Sequence, residues 1–196
     1  MLYIGIDPGV NGGIAWMQER GETLTVTAVK MPTTIAQSGK KRVSLKDLSD
    51  LIASLAETDK LKSCALEKVS SRPGQGVVSC FTFGRAYGNA EASVVCHGIP
   101  LERVLPRKWQ QPMGLITSKE VTKTKKKNQH KAKAQELWPD LKITHAIADA
   151  LLICEYWRRY HTQPPAAVPL GHYHTGPSMT PAQLRRRHKR IMEGQQ

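Results

Sequence analysis

Three acidic residues stand in segments that are otherwise apolar, and this feature constrains the chain more than any other. Asp7 ends the first apolar run, Glu67 lies within the strand-like run 63–69, and Asp149 lies among small apolar residues of a helix. A carboxylate in such surroundings is costly unless it is paired or bound to a metal. No lysine or arginine in these runs is an obvious partner for all three, so we predict that they converge on divalent cations.

The charge balance narrows the class of partner. The chain has 196 residues, with 29 Lys+Arg against 16 Asp+Glu, a net charge of +13. An excess of this size favours an anionic partner, either nucleic acid or a membrane surface. No apolar run approaches the roughly 18 residues that span a bilayer, and no secretory signal is visible at the N-terminus. We therefore expect a cytoplasmic protein of one globular domain, with no membrane partner.

Hydrophobic spacing predicts an α/β fold with the order three strands, helix, strand, helix, strand, helices. A loop that is rich in Pro, Thr, Ser and Gly is expected after the third strand and extends to Lys41. We assign the globular domain to residues 1–162, and a Pro/Gly linker with a basic, disordered tail to residues 163–196. The helices are predicted at 45–57, about 78–97, 132–138 and 145–160, and strands after the meander at 63–69 and 99–105.

Three motifs together resemble those of the RuvC-type Holliday junction resolvases, most closely the bacteriophage-encoded members. They are Gly5-Ile6-Asp7-Pro8-Gly9 with Gly13, Leu66-Glu67 followed by Gly84-x-Ala86-x-Gly88, and Ala148-Asp149-Ala150-Leu151. The resemblance covers about residues 1–160, and its specificity lies in the order and spacing of the motifs.

The resemblance implies an RNase H-like fold, with a mixed five-stranded sheet and helices on both faces. It also implies a homodimer that binds four-way junction DNA and resolves it by paired symmetric nicks. Two Mg²⁺ ions per site, for which Mn²⁺ would substitute, would support phosphodiester hydrolysis. For a phage protein the compartment would be the cytoplasm of the bacterial host.

By matching position, the resemblance makes Asp7, Glu67 and Asp149 metal ligands. The chain departs from the phage pattern at Ala146, where a fourth carboxylate is expected. Residues three and four positions before Asp149 share its helix face, so His145 and Ala146 are both predicted to point toward the site. Three interpretations stay open: a chain altered to hold its substrate uncut, a natural site in which His145 is a catalytic ligand, and a natural junction binder without cleavage.

Basic residues before the last helix are expected to border the site and to bind phosphates. Lys131 is the candidate for the catalytic lysine nearest the scissile phosphate. Arg72 and Gln75, in the loop after Glu67, are expected to reach DNA strands at the crossover, and Phe81 to stack on an unpaired base. The remaining predicted DNA-binding residues are Lys123, Lys125, Lys126, Lys127 and Lys133.

Three other functions compete with junction resolution. Another RNase H-like nuclease, acting on flaps or RNA–DNA hybrids, would use the same carboxylates and basic surface. A noncatalytic junction-binding protein is compatible with Ala146. An actin-like kinase would use the glycines near Asp7 to hold phosphate, but such folds need a second lobe, which a chain of this length does not provide.

Overall fold

The computed structural model describes residues 1–71, 73–115 and 121–160. Within these ranges, the predicted strands and helices occur in the predicted order, and additional short elements lie between them. The strands are β1 (Leu2–Asp7), β2 (Gly13–Arg20), β3 (Thr23–Lys30), β4 (Thr33–Ile35), β5 (Lys41–Val43), β6 (Lys62–Glu67) and β7 (Leu101–Val104). The helices are α1 (Leu45–Thr58), α2 (Val77–Cys96), α3 (Pro106–Gln110), α4 (Lys123–Leu137) and α5 (His145–Tyr160).

The central sheet has five strands in the order β3-β2-β1-β6-β7. Strands β1, β2 and β3 form an antiparallel meander, whereas β6 pairs in parallel with both β1 and β7. The parallel pairs require crossover connections, which contain α1 and α2. The predicted mixed five-stranded sheet is thus confirmed.

Alternate residues of β1 separate two hydrophobic cores. Leu2, Ile4 and Ile6 are fully buried in the core that includes α1 and α2. Tyr3 points to the opposite face and packs in the core that is built mainly from α5. Because side chains alternate along a strand, Asp7 lies on the α5 face as well. Helices cover both faces of the sheet, as predicted.

Helix α5 lies directly on β1 and β2, and glycines make this contact possible. A Cβ atom at Gly5 would lie 2.4 Å from the backbone nitrogen of Cys154 and 2.5 Å from the carbonyl oxygen of Ala150. At Gly13 a Cβ atom would lie 2.7 Å from the carbonyl oxygen of Ala146. The first turn of α5 is therefore at the end of the sheet where β1 stops and β2 begins.

Two predictions of secondary structure were wrong. The loop expected between β3 and α1 contains the hairpin β4–β5, which closes at Gly39 with a φ of +74°. Helix α4 begins at Lys123 rather than at residue 132, capped by the Thr122 hydroxyl, which accepts from the backbone nitrogen of Lys125. Lysine is a good helix former, so a run of lysines extends a helix that is anchored by a few buried residues.

No helix in the described part of the chain is both long and apolar enough to cross a membrane. The predicted linker and basic tail, 163–196, lie outside the described residues, and their character stays a prediction.

We expect Gly5→Ala to lower the free energy of unfolding by about 2–3 kcal/mol, because the new methyl group would overlap the backbone of α5. Gly88→Ala is the matched control, since a Cβ atom there would meet nothing within 4 Å. Alanine in that helical position would leave stability unchanged or raise it by about 0.5–1 kcal/mol. Urea unfolding of the two variants measures the difference; equal stabilities would contradict the close packing of α5 on β1.

Candidate active site

Asp7 is the last residue of β1, and the tight turn that follows fixes its side chain. The backbone nitrogen of Gly9 donates to Asp7 Oδ1 at 3.5 Å. A Cβ atom at Gly12 would lie 2.3 Å from the carbonyl oxygen of Asp7 and 2.7 Å from its Cγ. Only glycine at this position leaves room for the Asp7 carboxylate in its present place.

Glu67 ends β6 beside Asp7, because β1 and β6 are parallel and Ile6 pairs with Leu66. The indole nitrogen of Trp109 donates to Glu67 Oε1 at 3.0 Å. Trp109 belongs to α3 and is completely buried. A rigid buried donor of this kind fixes one oxygen of the carboxylate.

Asp149 lies on α5, and its partner is a histidine of α4. The Nδ1–H of His130 donates to Asp149 Oδ1 over 2.6 Å. The side chain of His130 is only 8% exposed, and its ring packs edge-on against Trp109 with 5.3 Å between ring centroids. The residues that hold Glu67 and Asp149 are therefore in contact with each other.

The three carboxylates are neighbours at the end of the sheet where β1 and β6 stop. Glu67 and Asp149 line one cavity of about 850 Å³. Burial, and then the negative charge of Asp149, raise the pKa of Asp7 to about 6; the Gly9 amide and Lys127 act in the opposite direction. The electrostatic environment of Asp7 is thus one that a cation would stabilise.

His145 and Ala146, which the sequence predicts to point toward the site, lie in the first turn of α5. His145 is exposed, and its Nε2–H donates to Asn128 Oδ1 at 2.9 Å. Ala146 is half-buried at the start of α5, and its carbonyl oxygen lies against Gly13. Among the described residues, His130 is a histidine that does contact the acidic site, through Asp149.

The predicted lysines of α4 differ in their relation to the site. Lys123 lines the same cavity as Glu67 and Asp149, and Lys127 is close enough to Asp7 to lower its pKa. Both share the helix face of His130, at seven and three residues before it. Lys131 is half-buried one residue further on, and Lys133 forms an ion pair with Glu136 at 2.7 Å. Lys125 is exposed and Lys126 is half-buried.

The other predicted DNA-binding residues fall in different places. Gln75 lines the carboxylate cavity, together with Ser70, Pro73 and Gly74 of the loop after β6. Phe81 is 74% exposed and lines a separate groove on the adjacent face of α2. Arg72 lies outside the described residues.

The donor chemistry of the site fits a divalent cation. Carboxylate oxygens are the ligands that Mg²⁺ and Mn²⁺ prefer, and the repulsion between Asp7 and Asp149 would be relieved by a bound cation. Among the described residues, however, no three Asp, Glu, His or Cys side chains are grouped closely enough to surround one ion. The site as it stands offers carboxylate neighbours rather than an assembled three-ligand cluster.

Sequence reasoning missed two residues of the site, His130 and Trp109. A helix that begins at Lys123 would have placed His130 on the same face as Lys127, so the error in the start of α4 hid it. Trp109 lies 42 residues from Glu67 in the chain, and no local pattern links the two. Only the folded chain shows this contact.

Comparison with solved structures identifies the fold. A structure of RuvC from Thermus thermophilus matches with a TM-score of 0.53 and 16% sequence identity, over 83% of this chain and 98% of that one. A second, titled as T. thermophilus RuvC in complex with Holliday junction substrate, matches with a TM-score of 0.54 and 15% identity, over 82% of this chain and 94% of that one. No protein-family model matches the sequence, and no curated protein does. The chain therefore has a RuvC-like, RNase H-type fold.

We expect Asp7→Asn to remove a pH dependence of stability. The native pKa of about 6 exceeds the ordinary 3.8, so the native state binds a proton more readily than the unfolded state does. The free energy of unfolding consequently falls by about 2–3 kcal/mol as the pH rises from about 4 to above about 6. Asparagine has no charge to bury, so the variant is more stable than the wild type at about pH 8 and similar to it at about pH 4.

Urea unfolding in EDTA at both pH values measures this effect. Asp140→Asn is the control, because Asp140 is exposed in the turn between α4 and α5. That change is expected to alter stability by less than about 0.5 kcal/mol at either pH. A destabilised Asp7→Asn protein at about pH 8 would show that the charge of Asp7 is not a cost to the fold.

Proposed function

We propose that this chain is a structure-selective endodeoxyribonuclease that binds four-way DNA junctions as a homodimer and cleaves them by paired symmetric nicks. One observation carries the proposal: Asp7 and Glu67 end neighbouring parallel strands, and Asp149 of α5 adjoins them. This arrangement occurs in a fold shared with RuvC, one structure of which contains Holliday junction DNA. The close relation to phage-encoded members remains a prediction.

The proposed roles follow from the contacts of each residue. Asp7, Glu67 and Asp149 would hold divalent cations, which supply an activated water and neutralise charge that develops on the phosphate. Trp109 and His130 orient Glu67 and Asp149 by one hydrogen bond each. Oriented carboxylates favour reaction because little reorganisation remains when the phosphate arrives.

Lysines near the site would offset the repulsion between its carboxylates and a phosphodiester. A phosphodiester is repelled by three carboxylates unless positive charge compensates. Lys123 in the cavity and Lys127 near Asp7 provide such charge on the side of α4. We retain Lys131 as a candidate beside them, and His145 as a ligand that a rearranged first turn of α5 would bring to a cation.

Ala146 decides between cleavage and binding alone. The alanine side chain has no ligand atom, so no side-chain ligand comes from this position. A junction-binding protein without cleavage is therefore the second candidate function, and a nuclease for flaps or RNA–DNA hybrids is the third. Substrate comparison with an Ala146→Asp variant distinguishes all three.

We expect Ala146→Asp to increase nicking of a labelled immobile four-way junction in Mg²⁺ by about 100-fold or more, because it supplies the acidic ligand that the resemblance leads us to expect at this position. Ala132→Asp is the matched control, since it adds the same charge at an exposed position of α4. Matched duplex, flap and RNA–DNA hybrid are assayed beside the junction, and EDTA is expected to abolish the activity. Denaturing gels give the rates and the positions of the nicks.

Each other result of this assay has a defined meaning. Equal cleavage by the unaltered chain would show that the site is complete with Ala146. Selective junction binding without cleavage by either protein would favour the binding module. A preference for flap or hybrid, or no preference for the junction, would overturn the proposed substrate.

We expect Mn²⁺ to raise the melting temperature of the unaltered chain, because a ligand that binds only the native state stabilises it. Asp149→Asn should remove most of this increase, whereas Asp140→Asn should retain it. Thermal unfolding with a Mn²⁺ series, checked by isothermal titration calorimetry, gives the result without reference to activity. An equal increase for both variants would exclude Asp149 from the cation site.

A further inference from the structure

A second groove, on the face of α2 next to the one that lines the carboxylate cavity, has the composition of a nucleic-acid site. It has a volume of about 310 Å³ and lies between the β4–β5 hairpin and the first half of α2. The hairpin contributes Lys40, Lys41 and Arg42, and α2 contributes Arg85. None of the described residues that line it is acidic.

The four cations of this groove are available to a ligand. Lys40, Lys41, Arg42 and Arg85 are all exposed, and within residues 1–71, 73–115 and 121–160 none of them forms an ion pair. Four unneutralised charges around one groove attract a polyanion strongly, and the gain comes from counterion release. The charge therefore selects an anionic chain.

Apolar residues at the edge of the groove add a second requirement. Phe81 is 74% exposed and Val78 is 68% exposed, and both lie on α2 within the lining of the groove. A large exposed aromatic ring beside clustered cations is the arrangement with which proteins bind unpaired bases, because each base presents a face for stacking. In duplex DNA these faces are already stacked, so the ring favours a single strand.

The groove lies next to the carboxylate cavity, because both are lined by residues of α2. Ser79 and Phe83 of α2 line the cavity, whereas Val78, Phe81 and Arg85 line the groove, so the two sites occupy adjacent faces of one helix. The turn after β1 joins them: Asp7 belongs to the acidic site, and Val10 lines the groove. Helix α2 is therefore an element that the two sites share.

We propose that this groove binds an unpaired DNA strand, with the phosphates on Lys40, Lys41, Arg42 and Arg85 and a base stacked on Phe81. The inference rests on the proposed function, which makes DNA the substrate, and it names the part of the substrate that this face recognises. Strands that open at the crossover of a junction are the source of unpaired nucleotides.

The test measures binding in EDTA, so that cleavage plays no part. The probes are a fluorescein-labelled oligothymidylate and a labelled duplex of equal length, in fluorescence anisotropy titrations over a series of NaCl concentrations. Arg42→Gln/Arg85→Gln is compared with Arg20→Gln/Lys60→Gln, which removes two exposed cations at the opposite end of the sheet. Thermal unfolding verifies that all variants fold.

The groove variant is expected to bind the single strand about tenfold more weakly than the control pair, with a salt slope reduced by about 1.4, the loss of two phosphate contacts. Phe81→Ala should weaken single-strand binding by about tenfold and duplex binding much less, and Phe81→Tyr should restore it. Equal binding by the groove and control variants would overturn the proposal. The oligomeric state of Phe81→Ala is measured by sedimentation velocity. If this variant loses DNA binding because a dimer dissociates, the proposal is also overturned, since the face would then join two copies of the chain.

This result is separable from that of the cleavage assay. If neither the unaltered chain nor Ala146→Asp nicks DNA in Mg²⁺, the proposed nuclease activity is wrong. The anisotropy titrations still test the groove proposal in that case, because they do not depend on cleavage. If junctions are nicked while groove and control variants bind alike, the nuclease stands and the groove proposal fails.

Discussion

The direct contact between α5 and β1 is the constraint on which the rest of the molecule depends. Gly5 has no Cβ atom, and the helix backbone at Ala150 and Cys154 occupies the space that a larger residue would need. This approach buries the apolar face of α5 and also fixes the depth of Asp149 relative to Asp7. The packing of α5 and the geometry of the acidic site thus depend on the same contact, since the helix cannot be moved without moving the Asp149 carboxylate.

That contact brings negatively charged carboxylates together, which costs free energy. The surrounding residues reduce this electrostatic cost in different ways. The Gly9 amide and Lys127 partly stabilise the Asp7 carboxylate, yet its pKa still rises to about 6. Glu67 and Asp149 instead receive hydrogen bonds from Trp109 and His130, which pack against each other. Helices α3 and α4, which are outside the central sheet, therefore control the geometry of the acidic site.

Helix α2 gives the molecule two chemically distinct surfaces. One face contributes Ser79 and Phe83 to the cavity that contains Glu67 and Asp149. The adjacent face meets the β4–β5 hairpin, which carries a cluster of cations and no acidic residue into the second groove. An acidic cavity and a basic groove therefore lie side by side on one helix.

The sequence alone determined the order of the strands and helices and which elements carry Asp7, Glu67 and Asp149. A short apolar run in β1 and a buried run in β6 predict strands, because these features depend on neighbours in the chain. Asp7 and Glu67 lie within or at the end of these runs. The apolar pattern of α5 likewise predicted the helix that carries Asp149. The error at α4 arose because a lysine run has no apolar period, although Thr122 caps a helix there.

Tertiary structure alone decided which residues act on these carboxylates. His130 contacts Asp149 across 19 residues, and Trp109 contacts Glu67 across 42, so neither pairing leaves a local signal. The raised pKa of Asp7 depends on burial and on the approach of α5, and the basic groove joins a hairpin to Arg85 of a distant helix. Sequence patterns report which face of an element is buried; contacts between elements depend on how those faces pack.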